Sequence, residues 1–273
     1  MHEAREIEVA LDQRGRAPSR GEPGHGEPMR GGCEASKMER LLPGVSPELV
    51  RGFLVSAVLL VLYRFHCNQR FYAASVGPWL GIDSHALFGF PAHGWKAFAT
   101  FVLFFAVPIM VVRFADKRAL AEVGLGPGDV RTGLKWTAIL VAAMAPVVGA
   151  ASFVPSFADH YPLAKSAGSS VTAFVAYEGV MLAYFVAWEF FFRGYMLFTL
   201  HRHIGNAAIL VQTIPFALLH GSKPEPEALG AILVGVLLGW LALRTRSFAY
   251  CAAIHFLVAL GMDLAATAQR AMG

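Results

Sequence analysis

Apolar residues fall into seven runs, and the breaks between them carry most of the charge and most of the turn-forming residues. Read as helices, the runs extend over about Leu49 to His66, Ala97 to Val112, Trp136 to Phe157, Val171 to Leu200, Ala207 to His220, Ala228 to Leu243 and Ser247 to Ala266. A bilayer helix asks for about 20 mostly apolar residues. The pattern therefore predicts an all-α fold, a polytopic transmembrane helical bundle of about seven to eight helices. The first run is short at its apolar centre, Gly52 to Tyr63, where Arg51 and Arg64 can snorkel outward. No proline interrupts the fourth, which is expected to continue as one long helix. Gly77-Pro78, Gly81 and Pro91 break the chain after the first run, and Gly205-Asn206 turns it back between the fourth and fifth.

Composition sharpens this picture. With 273 residues, 56% hydrophobic and only 15% charged, and a mean hydropathy of +0.51, the chain is too apolar for an ordinary soluble domain. Residues 1–45 are polar and are expected to be a disordered cytosolic tail, leaving 46–273 as the transmembrane domain. The loop Arg113 to Lys135 carries Arg113, Lys117, Arg118, Arg131 and Lys135, the largest basic excess, and is expected on the cytosolic side. Alternation then puts the Arg202 turn and the Arg244/Arg246 turn on that side too. The net charge of +4 is spread over loops without a basic, aromatic-interleaved patch, so membrane lipid is the expected partner and nucleic acid is not. Cys33, Cys67 and Cys251 are isolated, which excludes a disulfide framework and a Cys-rich zinc site. The first apolar run lacks a small-residue cleavage pattern, so no cleavable signal peptide is expected.

Chemistry concentrates where charge enters lipid. Glu189 and Arg193 lie in an otherwise apolar helix, where an ionisable side chain costs about 2.5–3.5 kcal/mol even on gentle insertion scales. Four residues apart, they share a helix face and can neutralise each other. His220 and His255 sit in later apolar runs. Glu189 and His220 lie at similar sequence distances before and after the Gly205 turn, which puts both about 22 Å from it at 1.5 Å per residue. Taken singly, the pair reads as a packing ion pair and each histidine as a packed side chain. Three helices presenting these groups at compatible depth point instead to a catalytic site.

At these positions the sequence resembles the CAAX-type prenyl endopeptidase family, also called the Abi or CPBP family of intramembrane proteases. The family pattern is Glu-Glu-x-x-x-Arg, Phe-x-x-x-His and His-x-x-x-Asn or Asp. Here the motifs run Trp188-Glu189-Phe190-Phe191-Phe192-Arg193, Phe216-Ala217-Leu218-Leu219-His220 and His255-Phe256-Leu257-Val258-Ala259, within residues 171–263. Trp188 stands in place of the first glutamate and Ala259 in place of the Asn or Asp. The resemblance implies an endopeptidase that hydrolyses a peptide bond near the carboxy terminus of a membrane-anchored protein or peptide, in a setting such as a bacterial inner membrane. Glu189 would deprotonate a water held by His220, and His255 would stabilise the oxyanion. Asp263 would fix the His255 tautomer, with Arg193, Phe216 and Glu178 in support. No cofactor is expected; a divalent metal such as zinc would take Glu189, His220 and His255 as ligands. The alternative is a catalytically inactive pseudoprotease that binds a hydrophobic peptide or partner helix. Residues Gly221 to Glu227, with Lys223 after the second-motif histidine, read as a loop or a gate.

Overall fold

The computed structural model describes residues 42–82 and 89–272, so nearly all of the expected 1–45 tail, with Cys33, lies outside the described residues. Every regular element among the described residues is helical. The main helices are α1 (Pro47–His66), α2 (69–79), α3 (Phe90–Ala115), α4 (Val130–Ser152), α5 (Pro155–His160), α6 (Val171–Ile204), α7 (Ala207–Leu219), α8 (Glu225–Thr245) and α9 (Ala249–Met272). Six of them, α1, α3, α4, α6, α8 and α9, are long and apolar enough to cross a membrane. The chain is an integral membrane protein. The expected fifth span, α7, has 13 residues, about 20 Å at 1.5 Å per residue, against about 30 Å of hydrocarbon.

Local chemistry sets the boundaries. Ser46 caps α1 by accepting from Leu49 N–H, and Pro47 follows at a position where its missing N–H costs nothing. The Asp129 side chain accepts from Thr132 N–H and starts α4 six residues before the apolar run that predicted it. Ser170 caps α6 at its predicted start through Ala173 N–H. Gly205 ends α6 at φ 57°, a left-handed value that glycine adopts without penalty.

Ion pairs gather alternate helix ends into one layer. Arg51 of α1 pairs with Asp116, just past α3, and Arg118 bonds Glu48 at 3.1 Å and Glu122 at 3.2 Å. Arg202, near the end of α6, reaches Glu122 at 3.3 Å. The loop from Gly124 to Asp129 is tied to the turn between α8 and α9 by Ser247 Oγ donating to Gly126 O and Tyr250 Oη to Pro127 O, both 2.6 Å. The Arg113 to Lys135 loop, the Arg202 turn and the Arg244/Arg246 turn thus share one end of the bundle, as alternation requires.

Close packing fixes the helix pairs that carry the site. α8 meets α7 through Gly235 and Gly239, where an added Cβ would lie 2.7 Å from Thr213 Cγ2 and 3.0 Å from Gln212 Nε2. This small-x-x-x-small seam lets two backbones approach in lipid. Gly133 of α4 likewise receives the Tyr250 ring of α9. α6 is enclosed between α3 and α9, which is why Phe190, Phe191, Phe192 and Tyr195 are all fully buried.

Candidate active site

α6 does not pass its motif as a plain α-helix. Immediately after Glu189 the hydrogen bonding widens to π over Phe190–Met196, a seven-residue segment in which every residue is buried. Such π turns in α-helices concentrate at functional sites. The wider turn holds Arg193 fully buried, with its Nη1 3.0 Å from Glu189 Oε1 and 2.9 Å from Oε2. Burial at this depth makes the pair interdependent, since either charge alone would be stranded.

Phe216 of α7 organises the space around the pair. The Arg193 guanidinium lies 3.8 Å above its ring centroid, a cation–π contact. The same ring stands 4.5 Å from His220 and 6.1 Å from His255, centroid to centroid. One aromatic side chain therefore spaces the cation and both histidines. The sequence marked Phe216 as the first letter of a motif and a supporting residue, without showing that it would space these groups.

The histidines are held in defined tautomers. His220, the C-cap of α7, has Nδ1 2.7 Å from Phe216 O, and His255 has Nδ1 2.6 Å from Glu189 Oε1. Both partners are acceptors, so each Nδ1 carries a proton, and in the neutral ring each Nε2 is the nitrogen with the lone pair. The two rings lie 6.1 Å apart and nearly parallel, at 21°. Glu189 and His220, expected at matching depth, and His255, expected at a compatible one, are brought together in the structure.

Two expectations are corrected. Asp263 does not set the His255 tautomer, because Glu189 takes that nitrogen and eight residues of helix put Asp263 about 12 Å farther along. Asp263 instead faces Glu178, within hydrogen-bonding reach of its carboxyl, and that pairing takes Glu178 away from the site as well. Glu189 gives its oxygens to Arg193 and His255, and among the described residues no group of three His, Cys, Asp or Glu side chains that could hold a metal ion is found.

Trp188 fills the place next to His220. It is 3% exposed, packs among Tyr63, Tyr184 and Phe192, and presents its ring at 78° to His220 with centroids 6.0 Å apart. Its Nε1–H has no acceptor among the described residues. Beyond His220 the loop is fastened by a contact that sequence reading missed. Lys223 Nζ donates to Tyr161 Oη at 2.6 Å, and Tyr161 Oη donates to the Glu227 carboxylate at 2.7 Å. Burial holds the Lys223 ammonium below its ordinary pKa.

Residues 169–261 match the family model of the Rce1-like type II CAAX prenyl endopeptidases. The matched segment opens just before α6 and takes in Glu189, Arg193, His220 and His255, stopping two residues short of Asp263. The Rce1-like resemblance thus rests on the helices that meet at Phe216. Neither a curated protein nor a solved structure matches the chain.

Proposed function

We propose that the protein is a CAAX-type intramembrane endopeptidase that hydrolyses a peptide bond near the carboxy terminus of a membrane-anchored protein or peptide. The contact between Glu189 Oε1 and His255 Nδ1 is the observation that carries this reading. Glu189 is fully buried while the His255 side chain is 19% exposed, so the carboxylate acts through the imidazole. His255 Nε2 takes a proton from water, and Glu189, kept ionised by Arg193, steadies the imidazolium that forms. His220 Nε2 accepts the other hydrogen of that water and orients it toward the carbonyl carbon. Hydroxide adds to the carbonyl, and the imidazolium returns its proton to the leaving amine as the C–N bond breaks. Glu189 is then a positioning residue and His255 the general base, in place of the roles of base and oxyanion stabiliser that the sequence resemblance implied for them.

The test is cleavage of a panel of membrane-anchored carboxy-terminal peptides by purified protein in lipid. Glu189→Gln is expected to lower the rate about a hundredfold or more, within the range positioned bases contribute. It is also expected to shift the acidic limb of the rate profile, which a purely structural loss would leave in place. His255→Ala should abolish cleavage with assembly intact. A second reading, an inactive peptide-binding relative, is favoured by Trp188 standing at the position of the family's first glutamate. Tight binding of one peptide without cleavage, equal in wild type and Glu189→Gln, would establish it.

A further inference from the structure

A cavity of about 1130 Å³ opens at the end of the bundle opposite the Lys223 loop, between the 116–129 loop, the end of α6 and the turn after α8. Four arginines line it, Arg118, Arg202, Arg244 and Arg246, against one acid, Glu122. Arg118 and Arg202 are shared with Glu48 and Glu122. Arg244 and Arg246 are exposed. The nearby Asp129 carboxylate accepts from Thr132 N–H at 3.1 Å and interacts electrostatically with Arg244. Arg118 is 7% exposed, yet its Nη2 has no hydrogen-bond partner among the described residues. A buried guanidinium nitrogen without an acceptor costs free energy until an anion reaches it.

Beside the arginines the lining includes an apolar wall of Phe198, Ile209, Trp240 and Leu243, with His201 and Asn206 bonded to each other at 3.2 Å. Trp240 is 38% exposed and meets Trp136 edge to face at 5.1 Å, an aromatic pair of the kind that sits at the headgroup level of a bilayer. A cationic rim above an apolar wall fits a phosphate that carries an acyl chain better than a free one. We infer that this cavity binds the headgroup of an anionic phospholipid, its phosphate on Arg118, Arg244 and Arg246 and an acyl chain along Trp240. This site is independent of the peptidase reading.

Native mass spectrometry of the full protein in detergent, titrated with phosphatidylglycerol and separately with phosphatidylcholine, tests it. Wild type is expected to retain one phosphatidylglycerol in preference to phosphatidylcholine. The double variant Arg244→Gln/Arg246→Gln should bind phosphatidylglycerol about thirtyfold more weakly, from the usual contribution of two basic residues to anionic lipid binding. Arg244→Lys/Arg246→Lys should recover most of the affinity and guards against misfolding of the first variant. Arg64→Gln/Arg70→Gln, at the other end of the bundle, should bind as wild type does. Equal binding by wild type and the Gln double variant would overturn the inference. So would displacement of the lipid by millimolar inorganic phosphate, which would make the occupant a free anion.

Discussion

Arg193 holds more of the site together than its motif position suggests, because it is clamped to Glu189 below and stacked on Phe216 above. Arg193→Leu leaves the buried Glu189 carboxylate without its cation and with only His255 Nδ1 as a partner, and is expected to cost about 3–5 kcal/mol in unfolding measurements in detergent. The double variant Glu189→Leu/Arg193→Leu should cost less than Arg193→Leu by itself, since it removes both charges. A double variant as damaged as the single would show that shape, not charge, dominates there. At this scale the sequence was legible as far as spacing goes. An i,i+4 pair, a histidine at matching depth and a second at a compatible one were readable from numbering. The π turn at Phe190–Met196 was not, because nothing in an aromatic run distinguishes i,i+4 from i,i+5 bonding. Asp263 was misjudged for a related reason: helical phase says which face a residue occupies, not how far along the axis its partner lies.

The helices came through the sequence better than their ends did. Hydropathy placed α6 at Val171, where Ser170 coincides with the apolar boundary, but put the start of α4 at Trp136 because Thr132 and Lys135 read as loop. The cap at Asp129 is a three-residue signal that a hydropathy window averages away. Between elements, Gly235→Val on α8 should force α7 and α8 apart against Thr213 and lower stability by about 1–3 kcal/mol, read as a drop in thermal midpoint. Gly230→Ala, with open space around its Cβ position, should be neutral or better by the same measurement. The α5 segment brings a pH dependence. Burial, reinforced by Lys223, depresses the His160 pKa from 6.5 to about 4. Between those values the unfolded chain takes up a proton that the folded chain refuses, so stability falls as pH falls through that window. The thermal midpoint should drop between pH 7 and pH 4, and His160→Gln should flatten the drop.

For the whole molecule, the alternation of helix ends was readable from the basic loops, and the ion pairs among Glu48, Arg118, Glu122 and Arg202 bear out the shared end. The side of the membrane is a separate matter, and the basic excess predicts it to be cytosolic. A single cysteine at Lys117, in a chain whose own cysteines are replaced, should be shielded from an impermeant thiol reagent added outside intact cells. Labelling from outside would reverse the orientation. What hydropathy did not convey is that α7 is unequal to its neighbours. Leu210, Ile214 and Leu218 face outward along it, and then at Leu219 the helix simply ends. Lipid tails beside His220 find no apolar wall of full height, so the bilayer there must dimple or let water down to meet the chain. The protein deforms its own solvent at the one depth where hydrolysis would need the other solvent.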